Sequence, residues 1–506
     1  MGMDTATAPA GTTTTDTTVP IIGDIITTII TTATDAPLYS VIAPVHGASR
    51  RGRAQNGRNG MDRRVLLTGV GSVAAWTALR PRPAAAGDKT TIVLWHAMSG
   101  ANGEEVERLA RDFNASQSDV TLEAVFKGTY PETLTAAIAA YRAGKAPHIV
   151  QIFEVGTGTM LQAGPAIKPV WKLAEETGLA LDPKAYIPGV RGYYSLPDGK
   201  LASMPFNSST AVMWYNRDAF EKAGLDPDKP PATYDDFAKA ARTLASKAAT
   251  PIASTSAWMT WIQFEEYAAI QNLPYATEGN GYDGLGAQLL INTKPFVDQL
   301  QRFMDLSKDG AFKYAGRDTA PDAVFYSGQA AIGFGSSSGR ADIVKNAKFR
   351  YAEAFLPTEP ALNPKPNNSI IGGASLWAMN APKRTEAEYK AVAAFYGFIS
   401  KPEQVALYAQ HTGYVPVTSA GYEATKQAGY FEKNPGTDVP AQQLGRGELT
   451  PNSRGLRLGR LPEIRVILYE EIEKALQGQQ GAQAAMDSAV ARGNRVLREF
   501  QKSARG

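Results

Sequence analysis

The stretch TTIVLWHAMSGANGEEVERLARDFNASQSDVTLEAVFKGTYPETLTAAIAAYRAGKAPHIVQIF, residues 90–153, alternates strand-like and helix-like patterning. Ile92, Val93, Leu94 and Trp95 form an apolar run of strand length. Val106, Leu109, Ala110 and Phe113 then recur at helical spacing, Val120–Phe126 reads as a second strand, and Leu134, Ala137, Ile138 and Tyr141 mark a second helix ending near Gly144. Residues 148–153 close the series as a third strand. Such a βαβαβ unit predicts a parallel sheet whose ligand crevice lies beyond the carboxyl ends of its strands. Trp95-His96, Lys127-Gly128-Thr129-Tyr130 and Glu154 fall at those ends. Each alone is an ordinary loop position, but three equivalent positions together mark a cleft.

Downstream, a strand at 211–215 leads into helices at 217–223 and 234–244, the second introduced by Pro230-Pro231-Ala232-Thr233, and a second lobe starts about there. Apolar runs at 351–355 and 370–379 have the character of strands that return to the first sheet, and the C-terminal third reads as mainly helical. The chain crossings predict an α/β protein of two interleaved lobes around a cleft. The lobes are drawn as 88–206 with 356–401, and 207–355 with 402–506.

Upstream, residues 1–60 are rich in Thr, Ala and Gly without sustained periodicity, which predicts a disordered or wrongly assigned extension. The segment 61–86 reads as a signal peptide: Met61, Arg63-Arg64, a short apolar run to Leu79, and small residues at Ala84-Ala85-Ala86. The paired arginines resemble a twin-arginine signal. The run is too short and too interrupted by glycine to span a bilayer. Through Ala86 there are eight Lys or Arg against five Asp. They account for the net charge of +3, so the remainder is neutral and implies no nucleic-acid partner. Cysteine is absent. That excludes disulfides, thiolate metal sites, a cysteine nucleophile and a lipid-modified N-terminal cysteine.

The turn Gly335-Ser336-Ser337-Ser338-Gly339, between an apolar run and a helical pattern, allows two chemistries. Its hydroxyls and backbone N–H groups suit an anion. It also spells G-x-S-x-G, the nucleophile elbow of serine hydrolases, with Ser337 as nucleophile.

Nine stretches in order, LWHAMSG, FKGTYPETL, EVGTGTM, MPFNSST, WMTWIQ, SSSG, IIGGASLW, HTGYVP and GLRLGRLPEIRVI, give residues 88–506 a family likeness. The chain resembles the extracellular solute-binding proteins of ABC importers, the family that includes the maltose-binding protein, and within it the glycerol-3-phosphate binders of the periplasm. The resemblance implies a type II periplasmic binding fold, a monomer that closes on its ligand, and delivery to membrane permease subunits. It implies that Tyr130 and Glu154 hold the glycerol hydroxyls and that Trp258 and Trp261 pack on the carbon backbone. It assigns Ser209, Ser336, Gly373, Tyr414 and Arg465 to the phosphate. A phosphate monoester carries close to two negative charges, and Arg465, the hydroxyls and a backbone N–H at Gly373 are donors suited to it. Trp258 and Trp261, three apart, would share one face of a helix. Where relatives carry serine and an apolar residue, this chain has Gly339 and Arg340, and Arg340 is expected to point outward.

The hydrolase alternative needs an acid and then a histidine after Ser337, and His411 is the only downstream histidine. No cofactor or metal is expected, because His46, His96, His148 and His411 form no close pair. Other ligands on the same scaffold, a sugar or a glycerophosphodiester such as glycerophosphocholine, are the nearer rivals. The phosphate donors argue against a sugar.

Overall fold

A computed structural model describes residues 89–505. The expected extension and signal peptide lie outside the described residues. The βαβαβ unit is present as β1 (Thr90–His96), α1 (Gly100–Ser116), β2 (Val120–Phe126), α2 (Tyr130–Arg142) and β3 (Ile149–Phe153), with β1 parallel to both β2 and β3. In α1 the buried face comprises Val106, Leu109, Ala110 and Phe113, with Glu105 beside them. His96 ends β1 rather than standing in the loop after it.

Three more strands complete this sheet: β4 (Ile167–Lys168), β5 (Met204–Ser209) and, from far along the chain, β10 (Gly372–Met379). The order is β2-β1-β3-β10-β4, with β5 also paired to β10. β10 runs antiparallel to β3, so a strand added late in the sequence closes the first sheet beside the unit that begins it.

The second sheet has the order β7-β8-β6-β9, from β6 (Ala211–Asn216), β7 (Ile252–Ser256), β8 (Ala330–Ser336) and β9 (Tyr351–Ala354). β9 corrects an expectation. It pairs with β6 in the second sheet and does not return to the first, because its short, mostly half-buried run fits the edge position it takes there. Of the two runs expected to return, only β10 does.

Thr210 alone separates the end of β5 in the first sheet from the start of β6 in the second. Its hydroxyl donates to the Ile370 carbonyl at 2.9 Å, just before β10, so the two crossings of the chain lie side by side. Glu266, fully buried, accepts from the backbone N–H groups of Ile370 at 2.8 Å and Ala211 at 3.3 Å and holds both crossings. Burial pushes its carboxyl up to about 8. Val405, Tyr408, Tyr414 and Val417 pack in the core of the first sheet with Leu94, Phe113 and Leu376, although they belong to the stretch drawn as the end of lobe two.

Candidate functional site

The cleft between the two sheets encloses about 360 Å³. All nine sequence-nominated positions line it: Tyr130, Glu154, Ser209, Trp258, Trp261, Ser336, Gly373, Tyr414 and Arg465. Ser209 and Ser336 end strands, Tyr130 and Trp261 open helical turns, and Trp258 and Tyr414 stand in the segments that follow β7 and the helix Pro402–Thr412.

Tyr130 opens α2. Thr129 before it and Glu132 form a reciprocal capping box, with the Thr129 N–H donating to Glu132 at 2.6 Å, so local sequence fixes where the helix begins. The Tyr130 ring stacks on Phe153 at 5.3 Å, and its hydroxyl accepts from Asn207 at 3.1 Å. Tyr414 follows the helix Pro402–Thr412, and its hydroxyl lies among Ser338, Tyr130 and Asn207.

β8 ends at Ser336, whose hydroxyl accepts from the Ser338 N–H at 3.2 Å and lies 2.8 Å from the Ser338 hydroxyl. Ser336 and Ser338 reach the cleft. Ser337, the centre of the hydrolase motif, points away: it is 1 % exposed, and its buried hydroxyl has no partner among the described residues. His411, the nominal triad histidine, meets Glu105 at 3.1 Å. Arg340 is absent from the cleft and faces a small separate cavity with Glu353.

The tryptophans reach the cleft differently than expected. Trp258 is not helical. It sits at φ +42° in the turn after β7, while Trp261 opens a π-helical turn, Trp261–Glu265. Gly373 is also glycine for a backbone reason: at φ +95°, an added Cβ would stand 2.0 Å from the Asn207 carbonyl oxygen on β5.

The largest departure concerns Arg465, on the helix Leu461–Leu476. Its resemblance-based role set it at the phosphate end, opposite Glu154. The structure puts the two together, with Arg465 Nη2 donating to Glu154 at 3.0 Å. The same guanidinium is held by Glu265 through two bonds of 2.7 Å, from Nε and from Nη2. Burial pushes the Glu154 carboxyl up to about 7 against the pull of Arg465. Arg465 is the one cation among the described cleft residues, which include four acids, Glu154, Asp318, Asp322 and Asp342.

A family description, bacterial extracellular solute-binding protein, matches residues 108–436. This chain belongs to that family. The sn-glycerol-3-phosphate-binding periplasmic protein UgpB of Rhizobium meliloti is 46% identical to this solute-binding protein over 408 residues, 81% of this chain and 94% of that protein. UgpB of Escherichia coli K12 is 44% identical over 415 residues, 82% of this chain and 94% of that one. Among solved structures, UgpB from Mycobacterium tuberculosis in complex with glycerophosphocholine superposes with a TM-score of 0.69 at 20% identity, covering 82% of this chain and 100% of its own. Maltose-bound MalE3 of T. maritima reaches 0.66 at 16%, covering 81% and 100%. These neighbours show the two-lobed type II fold for this solute-binding protein.

Ser338, read from sequence only as part of the anion-suited serine turn, also lines the cleft, whereas Glu265 had no place in that reading. Glu265 lies four residues after Trp261, a spacing that would have paired them on one helical face. Its partner Arg465 lies 200 residues away, so the contact itself had no local signal. Among the described residues of this solute-binding protein, no cluster of His, Cys, Asp or Glu is suited to a metal, and no helix is long and apolar enough to cross a membrane.

Proposed function

We propose that this protein captures sn-glycerol 3-phosphate in the cleft and delivers it to the membrane permease of an ABC importer, as a periplasmic monomer exported through the Arg63-Arg64 signal. The observation that carries the reading is the convergence of all nine nominated residues on one cleft of a size suited to a small polar ligand. The names of the relatives point the same way.

The geometry revises the roles. Glu154 and Arg465 together form the hydroxyl end, where the carboxylate accepts from the glycerol. Trp258 and Trp261 cover the carbons. The phosphate is met by the hydroxyls of Ser209, Ser336, Ser338 and Tyr414 and by the backbone at Gly373, with Tyr130 at the junction. Neutral donors suffice in a partly dry site, where each hydrogen bond to a charged oxygen is strengthened. No step makes or breaks a covalent bond, and the burial of Ser337 removes the nucleophile that a hydrolase would need.

Glycerophosphodiesters have one observation of their own. The cleft extends over Asp318, Asp322 and Asp342 with the aromatic rings of Phe126 and Tyr326, surroundings that suit a cationic head group. Calorimetric titration with glycerol 3-phosphate, glycerophosphocholine and maltose tests both readings. The expected result is binding of the phosphate ligands and none of maltose. Tight maltose binding alone would overturn it.

A further inference from the structure

We propose that Glu265 is a positioning residue that sets the specificity of the inner end of the cleft: by holding Arg465 in a two-bond ion pair, it denies that guanidinium to anions. The inference rests on the cleft being a site for a phosphorylated polyol. It explains why a site for a phosphate ester surrounds its one arginine with carboxylates.

A buried guanidinium free of carboxylates would be the strongest anion-binding group in the cleft, because its planar fork matches phosphate with two parallel hydrogen bonds. A phosphate ester would then lodge on it in reverse, hydroxyls outward, and inorganic phosphate would compete. Glu265 occupies the fork made by Nε and Nη2 at 2.7 Å on each arm. Its side chain is 0 % exposed and that of Arg465 5 %, so the pair is shielded from solvent and its compensation is little screened. With Glu154 on the same Nη2, two carboxylates surround one cation, and a phosphate brought there meets no surplus positive charge.

What remains suits a diol. Arg465 Nη2 donates to the Glu154 carboxylate, and both residues stand together in the cleft wall. A donor and an acceptor side by side match a hydroxyl, which both gives and takes a hydrogen bond, better than they match a dianion that only accepts. The π-helical turn supplies the placement. Trp261 at its start lines the cleft, while Glu265 at its end reaches the arginine behind it.

The test is calorimetric titration of the full chain, wild type, Glu265→Gln and Glu265→Asp, with sn-glycerol 3-phosphate, glycerophosphocholine and inorganic phosphate. Wild type should bind at least one ester about a hundredfold more tightly than inorganic phosphate. Glu265→Gln, which keeps the shape and removes the charge, should gain about tenfold for inorganic phosphate and lose about tenfold for the ester. Glu265→Asp, which keeps the charge on a shorter arm, should fall between. A ratio of ester to inorganic phosphate affinity unchanged within about twofold in folded Glu265→Gln would mean that Glu265 is only structural and would overturn the proposal. If circular dichroism shows that Glu265→Gln does not fold, Glu265→Asp decides alone: a gain of less than about threefold for inorganic phosphate overturns it. Wild type that binds inorganic phosphate as tightly as the ester also overturns it, with the functional reading intact. Wild type that binds neither ester defeats the functional reading, and this inference with it.

Discussion

Arg465 stands between two carboxylates in a buried space, and that arrangement governs what its replacement does. Arg465→Ala would leave Glu154 and Glu265 buried without a cation. We expect a loss of about 3–5 kcal/mol of stability along with ligand binding, measured by urea unfolding and titration. Gly373→Ala meets a different obstacle, a positive φ and a carbonyl oxygen 2.0 Å from the new Cβ. It should cost more than about 1 kcal/mol in the same unfolding assay, while a glycine at an ordinary φ would tolerate the change. The buried acids make stability depend on pH. Glu266, held at about 8, and Glu154, at about 7, keep protons that the unfolded chain releases near 4.5, so folding stability falls as pH rises towards 8. Below about 6.5 the buried His96, pushed down to about 4, acts in the opposite sense. The clean window is therefore about pH 6.5 to 8. Thermal unfolding of the ligand-free protein should show a falling melting temperature there, with the slope reduced in Glu266→Gln. An unchanged slope in that variant would remove Glu266 from the account.

At the scale of elements, the serine turn separates two adjacent hydroxyls by function. Ser336, the last residue of β8, faces the cleft, while Ser337, the first of the following 3-10 turn, is buried behind it. Ser336→Ala should weaken binding of glycerol 3-phosphate by roughly tenfold, the value of one hydrogen bond to a charged acceptor, and Ser337→Ala should leave it unchanged. Equal losses from both, read by titration, would mean that the turn acts through its backbone conformation. The π-helical turn has a comparable division of labour. Its neighbouring acids Glu265 and Glu266 serve the ligand end and the chain crossings respectively.

Across the whole molecule, the cleft mouth is held by contacts between α1, which packs on the first sheet, and the helix Arg340–Asn346, which follows β8 of the second. Ser99 gives α1 no side-chain cap, and Asp342 from the opposite side accepts from the Ala101 N–H at 3.4 Å instead. Asn102 donates to the Ser338 carbonyl at 3.2 Å, and Lys345 meets Glu104 at 2.9 Å. These contacts join the two sides of the cleft mouth through protein groups alone. The double substitution Asn102→Ala with Lys345→Ala should expand the ligand-free protein in small-angle scattering and weaken binding a few-fold, because less of the population is competent to bind. An unchanged radius would show that the contacts do not bias closure.

Residues 90–153 determined their own strands and helices, since apolar spacing and the Thr129–Glu132 capping box act within a few residues of chain. The order of motifs likewise determined which positions would line a cleft: Tyr130, Glu154 and Ser336 sit at element ends, and element ends are written locally. Tertiary structure alone decided that β9 belongs with β6, that Trp258 stands outside any helix, and that Arg465 meets Glu154 and Glu265. Those last contacts span 311 and 200 residues of sequence. Charge compensation in a buried space depends on which groups the fold brings within hydrogen-bond reach, and no local pattern encodes that. The family resemblance therefore named an arginine for a phosphate, and the fold set that arginine against two carboxylates, Glu154 and Glu265.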